Sequence, residues 1–241
     1  MRASLAVLST ALFLSSSYAP VSAASLQVSP VTLDIPAPGS ATTLTLNNTG
    51  TTPLKAQMRV FRWSMVNGKE HLEPATDVVA SPPIAALQPS ANYVVRVVRI
   101  SKAPVAQEET YRLVVDEIPE PSARVKGTVT MAFRYSIPVF FTPQGASSSD
   151  LIWSTAQRDG KLYVSATNTG NRRVRLADLA VADGAGKRVT IAKGLAGYVF
   201  ARQSKSWVAP LAVQKAASPL IVTAQGDLGP INARALPEAS R

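Results

Sequence analysis

With no cysteine and one histidine among 241 residues, the chain has few side chains able to form a nucleophile and base pair. That histidine, His71, lies in NGKEHLEP behind an Asn-Gly turn signal. It reads as a loop or hairpin residue, because nothing around it supplies the partners a general base requires. A zinc site would need several ligands of a type the chain lacks, and no glycine-rich phosphate cradle is present. Carboxylates are densest at Glu108, Glu109, Asp116 and Glu117, around one expected strand. A glycosidase needs two facing carboxylates at a fixed separation, whereas these read as strand-end charges paired with nearby Arg and Lys. Trp63, Trp153 and Trp207 read as core anchors. The composition therefore points away from catalysis, with no cofactor and no metal, and towards recognition by shape and strand pairing.

The surrounding segments must position whatever recognition surface exists. Arg2, the apolar run Leu5 to Leu14 and the small-residue step Val21-Ser22-Ala23 predict a cleaved export signal over residues 1–24. Its apolar run is too short and too interrupted to span a bilayer, so no membrane insertion is expected. About 217 residues remain, enough for one large β domain or two smaller ones. Without cysteine, packing rather than disulfides must hold them. Losing Arg2 leaves 24 basic against 15 acidic residues, an excess of +9. The cations are scattered and no aromatic-basic module gathers them, so nucleic acid is not the expected partner. Some of them are candidates for gripping a carboxylate.

Short alternating runs separated by Gly, Pro, Asn and Asp recur along the chain, which reads as all-β. SLQVSPVTLDI, TTLTLNN, LKAQMRVFRWSM, NYVVRVVRI and TYRLVVDEI, a short strand near Asp77 to Ala80, and a long strand from Val125 to Phe141 give seven. That number suits an immunoglobulin-like sandwich. In the long strand Val125, Val129, Met131, Phe133 and Tyr135 share one face, and Lys126, Thr128, Thr130, Ala132, Arg134 and Ser136 the other. TPQGASSSD then marks a boundary, followed by DLIWST, KLYVSATN, RVRLADLAV, KRVTIA, SKSWVAPL and PLIVTAQ. TLNNTGTTPLKAQ is echoed by SATNTGNRRVRLA, as expected of two similar domains. The reading is two tandem immunoglobulin-like sandwiches, 25–143 and 144–241.

Three ordered blocks give the chain a family resemblance. SPPIAALQPSANYVVRV, from Ser81, resembles the first-domain block of the PapD-like periplasmic pilus chaperones. EETYRLVVDEIP, from Glu108, is similar to that family's penultimate strand, and the long alternating strand follows, closing with PVFFTP. The resemblance implies a non-enzymatic periplasmic chaperone for pilus or fimbrial subunits, delivering them to an outer-membrane usher. It implies further that the long strand completes a subunit that lacks its last strand. By position Val129, Met131 and Phe133 are the inserted side chains, with Val125 as a further one. Free donor edges ask for protection, so self-association of the empty protein is also expected.

The sequence departs from the family pattern where better-known members carry an Arg on the first strand and a Lys near the end of the long one. Those two residues grip the subunit's terminal carboxylate; the matching places here are Pro30 and Pro138. Arg96 and Arg134 are the replacement candidates, preferred to Arg99. The family's interdomain charge cluster has acidic members matching Glu108 and Asp227, while its basic member falls at Thr142. A secreted two-domain binding module for carbohydrate or a surface protein is the alternative; it would keep the long strand's apolar face internal.

Overall fold

The structure, a computed structural model, describes residues 26–119, 131–146, 151–184, 186–209 and 220–238. Among the described residues every regular element is a strand. The first part contains β1 (Leu26–Ser29), β2 (Leu33–Pro36), β3 (Ala41–Asn48), β4 (Leu54–Val66), β5 (Lys69–Pro74), β6 (Val78–Ser81), β7 (Ile84–Leu87), β8 (Asn92–Arg99), β9 (Glu109–Ile118) and β10 (Arg134–Thr142). A back sheet runs β1-β3-β8-β6, and a front sheet runs β2-β10-β9-β4-β5 with β7 also on β4.

SLQVSPVTLDI does not form a single strand. Pro30 has no N–H to give a ladder, and after it the chain leaves the back sheet to run parallel to β10 in the front one. The polar run KEHLEP pairs with β4 across Asn67 and Gly68, whose φ values of 51° and 74° suit a tight hairpin. Of the loop or hairpin that its polar sequence suggests, the hairpin forms, and none of its residues is buried. Leu44, Leu46, Val95 and Val97 of the back sheet face Met58, Leu113, Val115, Ile137, Val139 and Phe141 of the front one, forming the first core.

The second part holds β11 (Leu151–Arg158), β12 (Lys161–Asn168), β13 (Val174–Ala182), β14 (Arg188–Thr190), β15 (Leu195–Val199), β16 (Ser204–Ala209), β17 (Leu220–Gly226) and β18 (Gly229–Pro237). They hydrogen-bond in the order β14-β13-β17-β18-β11-β12-β16, with β15 on β13. β15 and β18 were not legible in the sequence: AGYV and GPINARALP carry Gly and Pro that read as turns. Leu162, Val164, Leu176, Val181, Val222 and Ala235 form its separate core. The two parts are tandem immunoglobulin-like sandwiches. They meet at Trp63, Phe140, Tyr198 and Phe200, a third buried cluster built from both.

Candidate functional site

β10 pairs with β9 antiparallel from Arg134 to Phe141, but β2 covers its other side only from Val139 to Thr142. Among the described residues, Arg134 to Pro138 are therefore paired on one side only. Pro at such an edge removes no ladder bond that a neighbour needs. The run PVFFT that follows is buried on both faces. Ile137, Val139 and Phe141 enter the first core, while Phe140 faces the second domain.

The odd-numbered face of this segment changes role along its length. Tyr135 packs against the first core and its hydroxyl donates to the Leu26 carbonyl at 2.5 Å, which closes the sandwich at β1. Phe133, the next position outward, is half-exposed, and Met131 beyond it is 67% exposed. Phe133 is held to the end of β9: its carbonyl accepts from Glu117 N at 2.9 Å, and its N–H donates to Glu117 Oε2 at 3.3 Å. Met131 to Phe133 are not in strand, so the expected strand is seen from Arg134 onward. Val125 and Val129 lie outside the described residues.

Neither proposed carboxylate grip stands free beside this edge. Arg96 is exposed on β8, opposite Thr43 and Ser81 in the back sheet, whereas β10 belongs to the front one. Arg134 donates to Asp116 Oδ1, and Arg59 donates to Asp116 Oδ2 at 2.6 Å. Burial pushes the Asp116 carboxyl up, yet these two guanidiniums outweigh it and hold the group below its ordinary range. Arg99 is spent internally on Glu109 and on the carbonyls of Ser101 and Ala103.

Glu108 and Asp227 are not brought together. Glu108 is fully buried and takes Arg173 Nη1 at 2.5 Å, the Arg173 N–H at 2.8 Å and the Thr142 hydroxyl at 3.0 Å. Arg173 Nη2 reaches Asp34 at 2.7 and 2.8 Å, so this second-domain cation supplies the charge absent at Thr142. Asp227 sits on the β17–β18 turn and pairs with Arg175 at 3.0 Å.

One cation escaped the sequence reading. Arg112 on β9 lies directly across from Pro138 and projects from the outer face of the front sheet. Its guanidinium carbon is 3.5 Å from the Trp63 ring centre, where dispersion and cation–π attraction hold it flat. Its polar contacts are long: Nη1 to the Ser136 carbonyl at 3.4 Å and Nη2 to Glu70 at 3.9 Å. Burial lowers its pKa, the mark of a cation that is poorly compensated. No local signal in the sequence marks Arg112, because its level with Pro138 is set by the register between β9 and β10. Such a fork, shielded from water and underused, suits a carboxylate. Among the described residues no group of three or more His, Asp or Glu is placed to hold a metal ion.

The fold is shared with known proteins. The family described as pili and flagellar-assembly chaperones, PapD N-terminal domain, matches residues 25–147. No curated protein is significantly similar to the chain. Among solved structures, the pre-assembly complex of the chaperone CsuC with the tip adhesion subunit CsuE, from archaic chaperone-usher Csu pili of Acinetobacter baumannii, is similar over 90% of this chain and 100% of that one. Identity is 24% and the TM-score 0.70. The YadV chaperone is 18% identical over 88% of this chain and 100% of its own, with a TM-score of 0.64. The Escherichia coli chaperone DraB is 20% identical, over 88% of this chain and 96% of its own, with a TM-score of 0.60.

Proposed function

Because the chain belongs to the family of pili and flagellar-assembly chaperones, we propose that it holds pilus subunits in the periplasm by lending them a strand. The observation that carries this reading is the change of role on the odd face of β10. Inward of Tyr135 the face fills the protein's own core, and outward of it Met131 is open to solvent beside a strand edge paired on one side. An extended chain in that position offers main-chain hydrogen bonds along the edge and apolar side chains at every second residue. Val125, Val129, Met131 and Phe133 are the residues inserted into the subunit. Residues 25–143 form the lending domain and 144–241 the second, and an outer-membrane usher receives the loaded subunit. While empty, the exposed edge favours self-association.

The subunit's terminal carboxylate docks at Arg112 rather than at Arg96 or Arg134. Arg112 is close to Pro138, faces the corner where the domains meet, and has no strong partner of its own. Arg134 is already committed to Asp116, and Arg96 belongs to the other sheet.

Burying Met131 and Phe133 in a partner contributes about 3 to 6 kcal/mol before ordering costs. Met131→Asp with Phe133→Asp keeps the chaperone folded, since neither side chain belongs to a buried core. It loses the subunit on co-isolation from cells expressing both. Retention of the subunit at wild-type yield would exclude the donor-strand assignment.

A further inference from the structure

Glu70 touches every component of the corner that holds Arg112. Its Oε2 accepts from Trp63 Nε1 at 3.1 Å and lies 3.9 Å from Arg112 Nη2, and its Oε1 accepts from Lys205 Nζ at 2.9 Å. One carboxylate thus contacts the indole beneath the guanidinium, the guanidinium itself and an ammonium from the second domain. The arm that carries it is seated. Met65 N–H donates to Gln203 Oε1 at 2.8 Å, and the hairpin tip at Gly68 sits so close to Ser206 that an added Cβ would be 3.1 Å from its Oγ. Lys205 is nearly buried, and its path requires a glycine. A Cβ at Gly197, where φ is +121°, would stand 2.9 Å from both Cε and Nζ.

We infer that Glu70 is an internal stand-in for the carboxylate that Arg112 receives, shared with Lys205 and yielding to a subunit. This rests on the reading of Arg112 as the subunit anchor. Arg112 faces two acceptors, both at long range, so its donors are available. An anion arriving there nonetheless meets a second negative charge within about 4 Å of the same nitrogen, and like charges at that spacing repel strongly. The newcomer settles only when Glu70 turns wholly to Lys205. A small anion has nothing else to offer in exchange. A subunit terminus comes with strand pairing along β10, which supplies the difference. Glu70 therefore filters carboxylates by what is attached to them, and it ties occupancy of the anchor to a contact between the domains.

The test is acetate titration of the purified protein, following the side-chain Nε–H resonance of Arg112, assigned by its loss in Arg112→Met. Glu70→Gln keeps an acceptor for Trp63 Nε1 while removing the charge and the carboxylate partner of Lys205. It is expected to lower the half-saturating acetate concentration about tenfold. Lys205→Met, which leaves Glu70 free to close on Arg112, is expected to raise it, while Lys205→Arg stays near wild type. Wild-type protein that fails to saturate while Glu70→Gln does so also supports the inference. Equal half-saturation in wild type and Glu70→Gln overturns the stand-in and leaves the anchor intact. Acetate that perturbs Arg96 or Arg134, and Arg112 in no variant, removes the anchor and the inference with it.

Discussion

Arg173 is buried with Glu108, reaches Asp34 with its other nitrogen, and lies 3.4 Å from the centre of the Phe140 ring. A buried pair of this kind is costly to assemble, and costlier to break, because the surviving charge has no water to solvate it. Arg173→Met is expected to remove about 3 to 5 kcal/mol of stability, read from denaturant unfolding. Adding Glu108→Gln to that variant should restore part of the loss. Asp116 gives a second residue-scale expectation, this time in pH. Its folded pKa lies below the ordinary value, so the stability it contributes is present above about pH 4 and fades as pH falls through the folded pKa. Asp116→Asn should therefore lower stability at neutral pH, change it little below the folded pKa, and so flatten the acid side of the stability curve, as measured by unfolding midpoints across pH. Sequence named Asp116 and Glu108 but not their partners. Nothing local to Arg173 says that it crosses to another domain, and Arg112 looked like one more outward strand residue until Trp63 was placed beneath it.

The twin Asn-Thr-Gly turns show what a sequence can carry at the scale of elements. Asn48 donates through Nδ2 to the carbonyls of Thr52 and Leu87, and its Oδ1 accepts from Gly50 N–H. Asn168 repeats this with Arg172, Val199 and Gly170. In each domain a buried amide closes a turn and pins it to a neighbouring strand, so the echo in sequence reflects the same device used twice. Replacing either by Ala strands the buried carbonyl of Leu87 or of Val199, and each change should cost about 1 to 3 kcal/mol in thermal or chemical unfolding. An Asn48→Asp variant that lost nothing would show that water serves those carbonyls instead. The strands most legible in sequence were those with one wet face, such as β12, whose burial alternates along its length. β9 broke that rule because Arg112, Val114 and Thr110 on its outer face are partly or wholly covered. β5 is legible only as a loop or hairpin for the opposite reason: a ribbon fixed by backbone pairing and by its seat on the second domain needs no apolar face. Alternation in β10 gave its faces, but only the neighbours of Tyr135 reveal where its own core ends.

The corner between the domains decides whether the molecule behaves as one body. Each sandwich has its own core, and what joins them is Trp63 set against Phe200 at 4.5 Å, Tyr198 at 5.5 Å and Phe140 at 6.3 Å between ring centres. The Glu108–Arg173–Asp34 cluster and the Glu70–Lys205 pair flank these rings. The aromatic members come from β4, β10, β15 and the residue just after it, and no local pattern in those segments distinguishes a ring facing its own core from one facing another domain. Interdomain contacts usually permit relative motion unless they are large and hydrophobic, and this one centres on four buried aromatic rings pinned by ion pairs. The intact protein is accordingly expected to unfold in one calorimetric transition. Phe200→Ala removes about 3 to 5 kcal/mol of burial and cavity energy and places that loss at the junction, because Phe200 packs in the shared cluster rather than in either core. The variant should then melt in two resolved steps, one for each sandwich. It should also retain subunits poorly, although β10 and its edge are unaltered, because Arg112 and Trp63 would no longer be held against the second domain. A single transition merely lowered in temperature, with subunit retention unchanged, would mean that the two domains act independently of their angle and that the aromatic corner serves stability alone.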